Sequence, residues 1–192
     1  MKFYIEITLL PGAEIGLHFL WQKVYQQIHL GLVEIQGSSG EVPIGISLPQ
    51  YNAEKQQLGN KLRLFAKDKQ ILEKMDVTKW LNRLTDYVHT TQIRGIPENR
   101  IAHAKFKRQQ VKSSKERLAR RKAKRNGIDY EQALVQLKAY DEKRVQTPFI
   151  NIKSQSTGEQ FRLFIEKLPA EKAQEGQFNS YGLSNKATVP WF

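Results

Sequence analysis

The sequence predicts an α+β fold in which a ferredoxin-like domain, residues 1–97, precedes an α+β domain, residues 98–192, that carries an arginine-rich helix and a β-hairpin. Two observations lead to this prediction. Alternating and helical patterns of apolar residues follow one another in the order β-α-β-β-α-β through the first half. A dense basic segment with helix signals opens the second half, and a hairpin pattern follows it. The 192 residues include no cysteine, so disulfides and thiolate metal sites are excluded.

The first half supplies the strands and helices of the ferredoxin-like order. The predicted strands are residues 3–9, 41–49, 61–67 and about 90–96. Apolar residues recur at helical spacing from Leu17 to about Leu32, which predicts the first helix. Asp76 is a good N-cap for a second main helix with the sequence VTKWLNRLTDYV, and the preceding KDKQILEKM could merge with that helix.

The second half opens with a basic helix. Ser113 and Glu116 form a capping-box pair at its start, and Gly127 is a C-terminal stop signal. Residues 105–125 hold eleven basic residues and one acidic residue, so ten of the twelve net positive charges of the chain lie there. One broad face of the helix carries Arg117, Arg120, Arg121, Lys124 and Arg125. Like charges at this density destabilise a helix, and the segment has one acidic residue to offset them, so this face favours a polyanion, usually nucleic acid, over a merely solvated surface.

Three further elements are predicted after the basic helix. Asp129 caps a helix that is expected to run to about Arg144, and Pro148 breaks it. The stretch INIKSQSTGEQFRLFI, residues 150–165, alternates as two strands joined by a bend. A short strand is expected around residues 178–183.

Two features carry candidate chemistry. His29 lies in the last turn of the first helix, where it is either a partly buried histidine favoured by the helix dipole or a general base. The bend of the hairpin, here called the hydroxyl bend, consists of Ser154, Gln155, Ser156, Thr157 and Gly158. This composition indicates either ordinary turn chemistry or hydrogen-bond donors for ribose and phosphate. Carboxylates are scattered, so no metal site is predicted, whereas RNA cleavage by its own 2′-hydroxyl needs only a base, such donors and a second proton carrier.

Several segments together resemble a known family, the CRISPR RNA-processing endoribonucleases of type I-F systems. The resemblance covers most of the chain. It rests on His29, IGISLP (44–49), LGNKLRL (58–64), KSSKERLARRKAKR (112–125), SQSTGEQFRLFI (154–165), SYGLS (180–184) and the terminal VPWF (189–192). The SQSTG…FRLFI and YGLS…VPWF segments are the specific ones. The resemblance implies a ferredoxin-like N-terminal domain and a second domain with the arginine-rich helix.

The resemblance also implies an activity and a catalytic centre. The implied reaction is metal-free cleavage of the CRISPR repeat at the foot of a stem-loop, which leaves a 2′,3′-cyclic phosphate and a 5′-hydroxyl. By matched position, His29 looks like the general base and Ser154 like the residue that holds the attacking ribose. Tyr181 looks like the third residue of the centre, orienting His29. No metal or cofactor is expected.

Further matched positions imply the RNA contacts. Phe161 resembles the aromatic residue that stacks on the terminal base pair of the stem. Arg108 and Gln110 match a linker pair that reads base edges near the cut. Residues expected in the RNA-binding surface also include Lys112, Arg117, Arg120, Arg121, Lys124, Arg125, Gln155, Ser156 and Thr157. The arginine-rich helix is expected to enter the major groove of the stem.

The expected partners are a CRISPR repeat stem-loop and the other subunits of a type I-F surveillance complex, with a monomer outside that complex. No membrane segment or signal peptide is predicted, and a cytoplasmic location is expected. Two alternatives remain open at this stage. One is a non-catalytic RNA-binding module, and the other is a structural subunit that sits on RNA in a larger ribonucleoprotein complex.

Overall fold

The computed structural model shows a mixed α/β protein with two antiparallel sheets, which confirms the predicted combination of helices and antiparallel strands. It describes residues 1–97, 102–110, 115–137, 146–155 and 157–192. The strands are β1 Phe3–Leu9, β2 Gly45–Ser47, β3 Lys61–Ala66, β4 Val88–Thr90, β5 Arg94–Gly95, β6 Ala102–Gln109, β7 Phe149–Lys153, β8 Gln160–Ala170 and β9 Val189–Trp191. The helices are α1 Leu17–Glu34, α2 Lys69–Met75, α3 Val77–Leu81, a 3₁₀ helix Thr85–Tyr87, α4 Lys115–Asn126 and α5 Tyr130–Val135.

The chain divides into two compact units, one of Met1–Gln109 with Thr147–Phe192 and the other of Gln110–Gln146. The first unit holds both sheets, and the second holds α4 and α5. The predicted domain boundary between residues 97 and 98 stays a prediction. Among the described residues, no helix combines the length and the apolar character needed to cross a membrane.

The first sheet has the strand order β2-β3-β1-β4, and β5 also pairs with β1. Its centre is β1, in which Ile5, Ile7 and Leu9 are buried while the intervening residues are less so, as the alternation predicts. Helix α1 buries Trp21 and Ile28 in the same core. The predicted bounds of β1, α1 and β3 hold to within two residues.

The predicted fourth strand at residues 90–96 is wrong as a single element, because the chain forms two short strands, β4 and β5. Thr91 lies between them, and its hydroxyl accepts the backbone N–H of Glu6 at 3.0 Å. The Thr91 hydroxyl thus replaces the backbone carbonyl that would accept this hydrogen bond in a regular sheet, and the strand is interrupted there.

The predicted second main helix is also wrong in extent. Asp76 does cap α3, since its side chain accepts from Lys79 N, but it adopts a left-handed conformation with φ 44° and ψ 73° that separates α2 from α3. Helix α3 ends at Leu81. Hydrogen bonds of the tighter i→i+3 type then connect Leu84 to Leu81 and Tyr87 to Leu84, and both later side chains pack against the core.

The second sheet has the order β7-β8-β6-β9. The predicted hairpin is confirmed as β7 and β8, with Ile150 opposite Leu163. Strand β6, which lies between β8 and β9 in this sheet, was not predicted, although Ala104 and Phe106 are buried in alternation with more exposed neighbours. The predicted strand at residues 178–183 is wrong. Phe178 makes an isolated bridge to Val42, and the chain then turns.

The described part of the second unit contains two short helices. Helix α4 ends where the sequence predicts, at Asn126, and Gly127 follows with a left-handed φ of 62°. Asp129 caps α5 by accepting from Glu131 N, but α5 ends at Val135 rather than near residue 144. Residues 138–145 and the capping residue Ser113 lie outside the described residues. Ala119 and Ala133 are buried, one on each helix, whereas the basic side of α4 is exposed.

Candidate active site

A backbone carbonyl binds His29, which lies five residues before Glu34, the last residue of α1, and therefore not in the last turn as predicted. The histidine is 8% exposed, and its Nδ1 lies 2.8 Å from the carbonyl oxygen of Ser180. A carbonyl oxygen can only accept a hydrogen bond, so Nδ1 carries the proton of the neutral ring and donates it. The other ring nitrogen, Nε2, is then the unprotonated one. The ring is therefore arranged to take up a proton at Nε2.

The ring of Tyr181 stacks on the ring of His29. The two centroids are 4.2 Å apart and the planes differ by 10°. Burial lowers the pKa of His29 below its ordinary value of 6.5, and the hydrogen bond to Ser180 only partly opposes that effect. Burial raises the pKa of Tyr181, against a smaller opposite effect of Arg108. At neutral pH the pair therefore consists of a neutral imidazole and a neutral phenol.

The segment that carries Ser180 and Tyr181 is a tight turn, here called the 179–183 turn. The side-chain oxygen of Asn179 accepts from the backbone N–H of Tyr181 at 2.9 Å and of Leu183 at 3.2 Å. The Gly182 N–H donates to the carbonyl of Asn179 at 2.7 Å. These bonds satisfy the backbone N–H groups of Tyr181, Gly182 and Leu183 from within the turn, and binding the nearby backbone is the usual role of asparagine in such segments.

A row of side chains continues from Tyr181 along the second sheet. Phe161 on β8 meets the Tyr181 ring edge to face, with centroids 6.4 Å apart. The guanidinium of Arg108 on β6 lies over the Phe161 ring at 5.2 Å. The structure thus brings together His29, Tyr181, Phe161 and Arg108, four of the residues predicted from the sequence. Three rings in contact thus lie next to the positive charge of the Arg108 guanidinium.

The hydroxyl bend is held together by its own side chains. The hydroxyl of Ser154 accepts from Thr157 N at 3.2 Å, and the hydroxyl of Thr157 accepts from Glu159 N at 3.4 Å. The Ser154 carbonyl accepts from Gly158 N at 2.9 Å, with Gly158 at a φ of 70°. Turn chemistry therefore accounts for part of the hydroxyl content. Gln155 is exposed, and Ser156 lies outside the described residues.

Gln26 connects the bend to the helix that carries His29. Its side-chain oxygen accepts from the backbone N–H of Lys153, the last residue of β7, at 3.0 Å. The outer edge of β7 pairs with no strand among the described residues, so this contact satisfies a donor at a sheet edge. Gln26 is one turn before His29 and Lys153 directly precedes Ser154, so this hydrogen bond joins the helix that carries His29 to the strand that leads into the hydroxyl bend. Sequence analysis did not identify Gln26, and the only signal was its spacing from His29.

The remaining predicted RNA contacts lie in the second unit. Those that the structure describes are all exposed, namely Gln110, Arg117, Arg120, Arg121, Lys124 and Arg125, whereas Lys112 lies outside the described residues. Over the part of the chain that the structure describes, no group of three or more His, Cys, Asp or Glu residues is placed to hold a metal ion.

Comparison with known proteins gives a match over nearly the whole chain. Residues 4–192 match the family model Cas_Csy4, described as a CRISPR-associated protein. The chain is 35% identical over 193 residues to a "CRISPR-associated endonuclease Cas6/Csy4" of Escherichia coli (strain UTI89 / UPEC), with 100% of both chains covered. It is 33% identical, again with full coverage of both chains, to the protein of the same description from Pseudomonas aeruginosa (strain UCBPP-PA14).

Among solved structures, "An RAMP protein binding different RNA substrates" is similar with a TM-score of 0.34 and 11% identity, covering 98% of this chain and 99% of the other. A similarity this weak supports no conclusion about the chain.

Proposed function

Since the chain belongs to the Cas_Csy4 family of CRISPR-associated proteins, we propose that it is an endoribonuclease that processes CRISPR RNA. The family match agrees with the resemblance found in the sequence. The proposed substrate is the repeat stem-loop, cut at the foot of the stem. The exposed cationic face of α4 supports RNA as the substrate, because a phosphate backbone offsets the repulsion among its arginines.

The proposed chemistry is transesterification by the RNA itself. The 2′-oxygen next to the cut attacks phosphorus, the bond to the 5′-oxygen breaks, and the products are a 2′,3′-cyclic phosphate and a 5′-hydroxyl. His29 takes the 2′ proton at Nε2, and solvent protonates the leaving oxygen. Ser154 holds the attacking ribose, and the Tyr181 ring orients the imidazole of His29 by stacking on it. No metal ion takes part in this proposal.

One observation carries the catalytic assignment. The hydrogen bond from His29 Nδ1 to the Ser180 carbonyl assigns the tautomer that a base acting through Nε2 requires. Burial supports the same role, since a lowered pKa keeps the imidazole unprotonated at neutral pH. A histidine favoured only by the negative end of the helix dipole would instead gain from being charged.

Further proposals concern the N-terminal fold, the complex that the protein joins and its RNA contacts. Residues 1–97 are proposed to form a ferredoxin-like domain, and the strand order β2-β3-β1-β4 with antiparallel neighbours supports it. The protein is proposed to stay bound to its product and to join a type I-F surveillance complex in the cytoplasm, and to be a monomer outside that complex. Phe161 is proposed to stack on the last base pair, with Arg108 and Gln110 reading nearby base edges.

The test uses the cognate repeat RNA in EDTA, with and without a 2′-deoxy substitution at the nucleotide 5′ of the cut. Cleavage that persists in EDTA and disappears with the deoxy substitution is expected. His29→Ala should slow cleavage by roughly 10²–10⁴-fold and leave stem-loop affinity unchanged. His89→Ala is the matched control, because His89 is an exposed histidine of β4 with no assigned role.

Two outcomes contradict the proposal. Cleavage of the deoxy substrate would exclude attack by the 2′-hydroxyl. Tight binding without cleavage of the unmodified RNA would favour the alternative of a non-catalytic RNA-binding subunit.

A further inference from the structure

Two residues on successive turns of α1 contact the same short segment. The hydroxyl of Tyr25 donates to the carbonyl oxygen of Tyr181 at 2.8 Å, and His29 Nδ1 donates to the carbonyl oxygen of Ser180 at 2.8 Å. Tyr25 and His29 are four residues apart, so they lie above one another on one helix face. The helix therefore holds two consecutive carbonyls of the 179–183 turn.

Tyr25 is suited to this contact by its environment. The residue is 0% exposed and packs beside Trp21 in the core. Burial raises its pKa far above the ordinary value, so the phenol keeps its proton and acts as a donor. A buried hydroxyl without a partner is costly, so the contact with Tyr181 fixes where the carbonyl must lie.

The turn transmits that constraint to the imidazole. Asn179 binds the backbone N–H groups of Tyr181 and Leu183, and Gly182 closes the turn onto the Asn179 carbonyl. The Ser180 carbonyl and the Tyr181 ring therefore belong to the same hydrogen-bonded turn. Both touch His29, so a displacement at the Tyr181 carbonyl changes the orientation of the imidazole.

We infer that Tyr25 is a positioning residue for cleavage. Its hydroxyl fixes the 179–183 turn, and this turn then holds the imidazole of His29 with Nε2 directed at the substrate. This inference rests on the proposed function. In this role Tyr25 itself does not touch RNA. Its effect passes through the Ser180 carbonyl and the Tyr181 ring, and so concerns the rate of the chemical step rather than RNA affinity.

The test compares Tyr25→Phe with Tyr51→Phe. Tyr51 is the matched control, because its hydroxyl also donates to a backbone carbonyl, that of Ile165 at 3.0 Å, which is not part of the 179–183 turn. Three quantities are measured for each variant below its unfolding temperature. They are the single-turnover cleavage rate at saturating protein as a function of pH, the Kd for the stem-loop, and the titration of His29 followed by NMR.

Tyr25→Phe is expected to slow single-turnover cleavage about tenfold with the Kd changed less than twofold. Because the loosened turn admits water to the imidazole, the pKa of His29 should move up toward its ordinary value, and the pH profile of cleavage should move with it. Tyr51→Phe should leave the cleavage rate and the His29 titration as in the wild type.

The outcomes separate this inference from the proposed function. Wild-type cleavage and an unchanged His29 titration in Tyr25→Phe, together with loss of activity in His29→Ala, overturn the role of Tyr25 alone. Equal losses in Tyr25→Phe and Tyr51→Phe also overturn it, because they indicate general destabilisation. Wild-type cleavage by His29→Ala overturns the proposed base and, with it, the inference.

Discussion

Gly182→Ala tests how closely the 179–183 turn is packed beside the candidate base. Gly182 adopts a left-handed φ of 69°, and a Cβ built on it would lie 2.4 Å from Cγ2 of Ile46. Ile46 is fully buried on β2, and its N–H donates to the Gly182 carbonyl at 3.0 Å. The added methyl group therefore cannot be accommodated by a flexible side chain, and the turn or β2 must move.

The expected magnitude has two parts. A left-handed conformation costs a residue with a Cβ about 1–2 kcal/mol. Forcing one more carbon into a packed core costs about 1–3 kcal/mol. The free energy of unfolding should therefore fall by about 2–5 kcal/mol, which most domains of this size survive in folded form.

The matched control is Gly40→Ala. Gly40 also has a left-handed φ, 81°, but the nearest atom to its added Cβ would be the Gln36 amide nitrogen at 3.6 Å, an ordinary contact. This variant should lose only the conformational part, about 1–2 kcal/mol. The difference between the two variants then measures the steric conflict with Ile46.

Urea unfolding followed by tryptophan fluorescence gives the stabilities, and single-turnover cleavage gives the effect on chemistry. A displacement of the turn by about 1 Å moves the Ser180 carbonyl and the Tyr181 ring relative to His29, so Gly182→Ala should slow cleavage by about 10²-fold. Gly40→Ala should cleave like the wild type. A Gly182→Ala protein no less stable than Gly40→Ala, and equally active, would refute the packing argument.

Two further predictions concern charge. Burial lowers the pKa of His29 in the folded protein, so the unfolded chain takes up the proton first as the pH falls. The neutral ring therefore contributes stability above the unfolded pKa near 6.5. That contribution is lost as the pH falls toward the pKa of the folded protein. The difference in urea midpoint between the wild type and His29→Ala should follow this course between pH 7 and 5, and a difference independent of pH would contradict it. Arg121→Ala and Arg125→Ala should each reduce the slope of log Kd for the stem-loop against log salt by about 1, as expected for one lost phosphate contact. Lys172→Ala, an exposed residue outside α4, should leave the slope unchanged, and unchanged slopes in the arginine variants would show that these side chains do not touch phosphate.

The amino-acid pattern alone identifies the elements whose signals are local. The alternation of β1, the apolar periodicity of α1, the glycine stop after α4 and the hairpin of β7 and β8 all depend on neighbours within a few residues, and these predictions agree with the structure. The same holds for the charge of α4, which is a property of composition. Segments with mixed signals were predicted less well, as the short α3 and the unexpected β6 show.

The arrangement of the site depends on contacts between residues far apart in the chain. His29 and Ser180 are 151 positions apart, and Tyr25 and Tyr181 are 156 apart, so no local pattern relates them. Sequence reasoning named His29 and Tyr181 as candidates, and the resemblance implied that Tyr181 orients His29, but neither identified the Ser180 carbonyl as the partner of Nδ1. That partner, and with it the tautomer of the imidazole, follows from how α1 packs against the 179–183 turn, because a backbone carbonyl has no signature in the sequence.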